Sequence, residues 1–421
     1  MQLSVSTPYR ENAIVHIAQT AVFHDQLERF YTTLYLPHWQ AGAQRLPLIG
    51  PQLARVFARR AYAGIPAAQA TNLAILPELV HISTRRLFGS RFPALATSRM
   101  YRVKAQFDQA VARRLDMHPT DALVGMYGAS LESFRVMRQQ GGLTVLNFVN
   151  SHPAEHNRFL VTLAGLGAMH HEMIPDWVAA RVEAELSLAD LVLVPSRFVA
   201  GQLQAHGVSS DKIALLPYGV DLRAFHPGPR QVSAPDKRPL QCLYVGQISH
   251  RKGVRALLDA ARRCRELPVR FRLIGPMVSA EVFDGGLPSN VVYEGTTLPG
   301  GVAEAMRQAD FFVLPTLEDS FALVVIEAMA TGLPVMTTTN AGASELIEDG
   351  CDGLVVPAGD ATALAHAIGR LVEQPALRQQ LGDAARKKVQ DAHSWEAYGA
   401  SVLQAIDARR LQLALRGVQR S

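Results

Sequence analysis

Short, almost wholly apolar runs recur along the chain, most of them bounded by glycine, proline or a charged residue. DALVGM (121–126), LTVLNFV (143–149), LVLVP (191–195) and IALLP (213–217) stand in the first half. LQCLYVG (240–246), FRLIG (271–275), NVVYEG (290–295), DFFVLP (310–315), PVMTT (334–338) and GLVVP (353–357) stand in the second. Runs of this length, rich in valine and leucine, read as strands buried on both faces. Between them, apolar positions return at helical spacing around 129–140, 172–188, 197–206, 251–265, 300–308, 323–331, 342–348 and 361–373. At the start, LSVSTP (3–8) predicts a first strand, and a long helical pattern follows from about Ala13 to Tyr35.

Alternation of strand and helix predicts parallel sheets with helices on both faces. The alternation is interrupted once, by the polar stretch DLRAFHPGPRQVSAPDKRP (221–239) with its four prolines, and then restarts. A chain of 421 residues is also too long for one typical core. The pattern therefore predicts an α/β protein of two doubly wound domains joined near residue 230. Ligands of such sheets sit outside the carboxyl ends of the strands, and the cleft between two of them is a natural site.

Composition adds little: apolar content is 48% and charged content 19%, ordinary for a folded soluble chain. No apolar run is long enough to span a membrane, and MQLSVSTPYR has neither the basic nor the apolar region of a signal peptide. Three scattered cysteines, Cys242, Cys264 and Cys351, make neither a disulfide framework nor a zinc knuckle. A reducing, cytosolic compartment is the expectation.

Charge changes the picture in one place. From Arg29 to Arg114 stand 13 basic residues and only two acidic ones, Glu78 and Asp108. Such a surplus suits an anionic partner, and equally a solvated arginine-rich face. Within it, PQLARVFARRAYAGIP (51–66) places Leu53, Val56, Phe57 and Tyr62 on one face, with Arg55 and Arg59 opposite. That is a surface helix on a core, or a helix lying on a membrane. The remainder of 46–114 does not parse.

Candidate chemistry concentrates in LPTLEDSFALVVIEAMATGLPV (314–335), where Glu327 interrupts an apolar run eight positions after Asp319. A second element, GQISHRKG (246–253), carries Arg251 and Lys252 from a strand-ending glycine into a helix. A third, VLNFVNSHP (145–153), ends a strand at His152. His152 also opens HPAEH, which fits the zinc-hydrolase pattern H-x-x-E-H, although Pro153 and the strand end argue against that setting.

Five stretches together resemble the family-four, or group 1, glycosyltransferases. They are ADLVLVPSRFVAGQL (189–203), PYGVDLRAFHP (217–227), YVGQISHRKGV (244–254), ADFFVLPTLEDSFALVVIEAMATGLPVMTT (309–338) and GASELIEDGCDGLVVPAGD (342–360). The resemblance covers residues 180–400 well and the first 180 poorly. It implies the GT-B fold, two Rossmann-like domains facing a central cleft. An acceptor domain would span 1–225 and a donor domain 226–395. A last helix, 396–421, would pack back on the first domain, the chain crossing near His393 to Trp395.

The activity implied is retaining transfer of a sugar from a nucleotide-diphosphate sugar to an acceptor hydroxyl in bacterial glycan, glycolipid or polysaccharide biosynthesis. By the resemblance, Glu327 takes the ribose hydroxyls and Asp319 those of the transferred sugar. The helix entered through Ser320, Phe321, Ala322, Leu323 and Val324 offers amides to the diphosphate. Gly246, Arg251 and Lys252 complete the donor site, and His152 touches sugar or acceptor. Asp319, Lys252 and His152 are the implied catalytic set. A helix cap at Asp319, a surface glutamate at Glu327 and a structural histidine at 152 are the plain alternatives, and Glu185 has a weaker claim. Aspartate stands at 319 where the family has glutamate, Gln247 where it has a basic residue, and Ser320 and Ala322 where it often has glycine.

Arg10 and Asn12, in a loop without the glycine pair of many relatives, are the implied acceptor contacts. Neither metal nor other cofactor is expected, nor nucleic acid. A glycan or lipid-linked acceptor is, with possible peripheral contact to the anionic inner face of the cytoplasmic membrane. A catalytically silent binding subunit of the same fold and, remotely, a zinc hydrolase are the competing functions.

Overall fold

The computed structural model describes residues 1–35, 62–88, 92–163, 172–228, 238–298 and 300–418. Two sheets organise it, both parallel throughout. The first runs in the order β3-β2-β1-β4-β5-β6-β7. Its strands are β1 (Leu3–Ser6), β2 (Leu27–Thr32), β3 (Ala70–Asn72), β4 (Ala122–Met126), β5 (Leu143–Asn147), β6 (Leu191–Val194) and β7 (Ile213–Leu215). The second runs β10-β9-β8-β11-β12-β13. It comprises β8 (Leu240–Val245), β9 (Val269–Ile274), β10 (Val291–Gly295), β11 (Phe311–Leu314), β12 (Val335–Thr338) and β13 (Leu354–Val356).

Every residue of β4, β5, β6, β11 and β12 is buried. Helices on both faces produce that burial, which is why these strands read as continuous apolar runs. In each sheet the strand order reverses beside its first strand, between β1 and β4 and between β8 and β11. Loops leaving those strands diverge and leave a crevice, so the two reversal points place the site.

Helices α1 (Asn12–Phe23), α2 (Ile75–Phe88), α3 (Pro93–Met117), α4 (Leu131–Gln139), α5 (Pro153–Leu163), α6 (Asp176–Leu188) and α7 (Arg197–Ala205) belong to the first domain. In the second lie α8 (Val254–Arg263), α9 (Gly301–Gln308), α10 (Leu323–Ala330), α11 (Ala361–Glu373) and α12 (Pro375–Ala392). Then α13 (Trp395–Val418) returns to the first.

Two expectations are corrected. The helix predicted over 13–35 stops at Phe23, because Asp25 adopts φ 54° and turns the chain back into β2 beside β1. A left-handed residue cannot continue an α-helix. The helix predicted over 342–348 is a 3₁₀ turn, Gly342–Leu346. Its first residue is wedged between the donor-domain loop and the first domain: a Cβ there would lie 2.2 Å from the Ser320 carbonyl of its own domain and 2.8 Å from Ser196 of the other. The unparsed region holds the long helix α3, and the amphipathic reading of 51–66 falls mostly outside the described residues.

A buried ionic network fixes α3. Asp108 accepts from the Glu132 and Ser133 amides, the Ser133 hydroxyl and Arg181. Glu185 accepts from the amides of Gly128 at 2.7 Å and Ser130 at 2.8 Å, tying down the loop after β4. Burial pushes the Glu185 carboxyl up to about 7. The Lys104 ammonium sits among the rings of Tyr9, Tyr101 and Tyr127 and donates to the Tyr127 carbonyl. Glu185 is thereby a scaffold carboxylate.

The chain crosses back at 393–395. Val220 donates to the His393 carbonyl at 2.9 Å and bridges to Ser394. The Trp395 ring stacks on His16 of α1, centroids 4.5 Å apart. Gly399 lies so close to α1 that a Cβ would meet Thr20 Oγ1 at 1.9 Å. Further along α13, the buried Arg409 donates to the carbonyls of Asp190 and Asp211.

Candidate active site

Strand β8 leads into Gly246, where a Cβ would meet the Tyr244 hydroxyl at 2.9 Å. The following loop delivers Arg251 and Lys252 and closes at Gly253, with φ 70°, where a Cβ would sit 1.7 Å from the Pro315 carbonyl. Only glycine fits that approach, so the loop after β8 is locked onto the loop after β11. Lys252 there forms an ion pair with Asp319, its Nζ meeting Oδ2. Burial lowers the Lys252 pKa, and Asp319 opposes that shift.

The loop after β11 enters α10 through Ala322, which holds φ 72° and ψ 66°. No side chain caps this helix. Its first amides and dipole therefore face the crevice, an arrangement suited to an anion. Glu327 follows in the second turn. Burial alone pushes its carboxyl up to about 7, with no charge or hydrogen bond drawing it back.

These groups share one cavity of about 560 Å³. Gly246, Lys252, Asp319, Ser320, Phe321, Ala322, Leu323, Val324 and Glu327 line it from the second domain, and Glu11, Val149 and Tyr218 from the first. The cleft is fastened beside it. Ser320 Oγ donates to the Val149 carbonyl at 2.8 Å, and Ser196 Oγ donates to the Ser320 carbonyl at 2.7 Å. Ser151 Oγ donates to Glu318. Glu345 accepts from the amides of Arg197 and Phe198, each at 2.8 Å, and so caps α7 from the opposite domain.

Arg251 lies outside the cavity lining. It donates to the Glu318 carbonyl at 3.1 Å and to Gln247 at 3.3 Å, and pairs with Glu172 of the first domain at 3.5 Å. The Glu318 carboxyl is held down at about 2: burial opposes this, and His156, Arg251 and Ser151 outweigh it. Arg251 thus joins the domains, a place sequence reasoning did not give it.

His152 is turned away from the cavity. It is fully buried. Its Nδ1 accepts from the Ala154 amide at 3.3 Å, and its Nε2 meets Glu183 at 2.8 Å. Burial lowers its pKa against the pull of Glu183, and the ring holds the start of α5. The His206 ring stacks on it at 3.8 Å with planes 12° apart.

His152, Glu183 and His206 gather within metal-binding reach. Two near-parallel stacked rings, however, hold their in-plane lone pairs in separate, nearly parallel planes, which does not suit one shared ion. His156 turns elsewhere, 3.8 Å from Glu318, so HPAEH assembles no two-histidine site. Arg10 and Asn12 are exposed at the start of α1. The residue between them, Glu11, is the one that reaches the cavity.

Residues 239–374 match the family described as glycosyl transferases group 1. The second domain is a group 1 glycosyltransferase domain. Curated relatives agree. The chain is 31% identical over 258 residues to D-inositol 3-phosphate glycosyltransferase of Arthrobacter sp. (strain FB24), covering 55% of this chain and 61% of that one. It is 33% identical over 192 residues to the putative colanic acid biosynthesis glycosyltransferase WcaL of Escherichia coli (strain K12), covering 42% and 47%. The matches thus span about half to three fifths of the relatives' length.

Solved structures extend the likeness to both domains around the group 1 fold. Sucrose-phosphate synthase from Thermosynechococcus elongatus superposes with a TM-score of 0.65 at 20% identity, over 98% of this chain and 100% of that one. Anabaena Alr3699/HepE in complex with UDP does so with 0.66 at 15% identity, over 97% and 100%. The architecture is GT-B: two Rossmann-like domains facing one cleft.

Proposed function

We propose that the chain is a retaining, metal-independent glycosyltransferase moving a hexose from a nucleotide-diphosphate sugar to an acceptor hydroxyl in bacterial glycan or polysaccharide synthesis. The observation that carries this is Glu327, a carboxylate desolvated in the wall of a 560 Å³ cavity beside an uncapped helix and a lysine. A half-buried carboxylate with no hydrogen-bond partner among the described residues is unfavourable, and two ribose hydroxyls are donors that match it. The complexes of HepE with UDP and with UDP-glucose, and the names of the curated relatives, support the same reading.

On this reading the α10 amides and Lys252 hold the diphosphate. Lys252 leaves Asp319 for it, and Asp319 then accepts from hydroxyls of the sugar. The bond between the anomeric carbon and the diphosphate oxygen breaks while positive charge grows on the ring. The acceptor oxygen attacks from the same face, and its proton passes to the departing phosphate oxygen. Lys252 and the helix amides stabilise the leaving group most when its charge is greatest, which lowers the barrier.

Among the described residues, no helix is long and apolar enough to cross a membrane. A cytoplasmic enzyme docking peripherally on the inner membrane face fits the basic surplus before Arg114 and the exposed Leu76, Leu79 and Val80 of α2. Co-sedimentation with anionic vesicles but not with neutral ones is expected, and absence from both defeats the docking idea.

The deciding assay follows nucleoside diphosphate release from UDP-, GDP- and ADP-sugars. Wild type should release from one donor, with Lys252→Ala and Glu327→Ala each slower by about a hundredfold, the loss of one charged contact. Unchanged release in both variants overturns the assignment of the cavity.

A further inference from the structure

We propose that Glu11 is the acceptor-facing carboxylate of the cleft, and that it selects an uncharged, hydroxyl-rich acceptor over a phosphorylated one. This rests on the glycosyltransferase reading of the cavity and names the acceptor class for it.

Glu11 caps α1 at the point where the first sheet reverses. Oε1 accepts from the Ala13 amide at 3.1 Å. Oε2 accepts from the Ile14 amide at 2.8 Å and from Asn147 Nδ2 at 3.1 Å. A carboxylate offers about four acceptor positions. The position left over is on Oε1, and the side chain lines the cavity opposite Asp319 and Lys252.

A second group points to a ligand. Tyr218 lines the same cavity, is 5% exposed, and its hydroxyl has no hydrogen-bond partner among the described residues. Its ring is clamped between Phe321 and Tyr398, edge-on to each at 5.0 and 5.7 Å. Leaving a buried hydroxyl unsatisfied is unfavourable, so the position favours a bound polar group. A sugar hydroxyl can donate to Glu11 and accept from Tyr218 at once.

A phosphate can do neither well. It is repelled by the carboxylate, and the helix amides that would attract it are already occupied by Glu11. Arg10, the adjacent cation, is exposed and outside the cavity lining. The second domain keeps its own uncapped helix for the donor diphosphate. The two helix N-termini facing the cleft thus divide the work: one takes an anion, and the other is closed to it.

Two measurements on the full chain test this. Inorganic phosphate is titrated calorimetrically into wild type, Glu11→Gly and Glu11→Ser. Each variant is expected to gain one phosphate site over wild type. Equal stoichiometry in all three overturns the claim that Glu11 closes α1, and this arm requires no donor. Transfer from the accepted donor is then followed with free sugars and inositol, each paired with its monophosphate. Wild type is expected to prefer the neutral member of a pair by at least about tenfold, and Glu11→Gln to shrink that preference. Preference for the phosphorylated member, or the same ratio in Glu11→Gln, overturns the proposal. Failure of wild type to bind any nucleotide strikes the glycosyltransferase reading instead, and leaves the phosphate titration to decide Glu11.

Discussion

Glu327 ties function to pH through a single proton. Its folded-state pKa of about 7 lies above the ordinary glutamate value of 4.5. The folded chain therefore holds a proton that the unfolded chain loses from pH 4.5 upward. Stability is penalised progressively between pH 4.5 and 7, and fully above 7. Glu327→Gln is expected to melt higher than wild type at pH 8 and level with it near pH 4.5, measured by calorimetry without ligand. Donor hydroxyls need the ionised form, so nucleotide affinity of wild type should rise from pH 6 to 8, while the Gln variant stays weak and flat. That Glu327 and Lys252 line one cavity was legible in the sequence, because each follows closely on a strand, β11 and β8, that ends at the same crevice. Glu11 was not, because its role arises only when β1 and β5 bring it to Asn147 and to a cavity built mainly by the other domain. His152 shows the converse: a histidine ending a strand reads alike whether its ring faces the cleft or, as here, Glu183 and His206.

Elements were legible where period and length agreed. Apart from β2, which lay inside the predicted helix, and β3, in the stretch that did not parse, the strands stand within a few residues of their predicted places, whereas the turn at Asp25 carried no glycine to announce it. The same property makes Ala322 informative. It holds φ 72° without being glycine, at the entrance to α10. Left-handed backbone costs a residue with a Cβ about 1–2 kcal/mol. Ala322→Gly should raise the melting temperature by a few degrees, and an unchanged or lower value would show that the methyl group's packing outweighs the strain. At the other end of the chain, Gly399→Val drives a side chain into Thr20. The expected loss is about 1–3 kcal/mol in urea unfolding, the cost of overpacking. Exposure of Trp395 by fluorescence would accompany separation of α13 from α1.

Across the whole molecule, small polar contacts join the domains around the donor loop, beside the packing of Phe321 on Tyr218. Ser320 contributes both its hydroxyl and its carbonyl, and Glu345 reaches over to α7. Contacts of this kind close and release readily, as a transferase must to admit donor and discharge nucleotide. Removing the Glu345 cap costs about 1 kcal/mol. Glu345→Ala together with Ser320→Gly should therefore enlarge the radius of gyration in small-angle scattering while the helical circular dichroism stays constant. Identical scattering from wild type and variant would mean that other contacts hold the cleft closed. The two-sheet plan was legible because each sheet repeats one strand-helix unit. The fasteners were not, since they pair residues more than a hundred positions apart, such as Ser196 with Ser320.

The return of α13 to the first domain also sets an order of assembly. During synthesis, α1 and its sheet emerge before the second domain, whereas Trp395 and Gly399, which pack on His16 and Thr20, come last. The second domain, continuous from β8 to α12, can reach its native form before that partner exists. The domain made first is therefore completed last, and until then its α1 flank lacks the packing of the last helix.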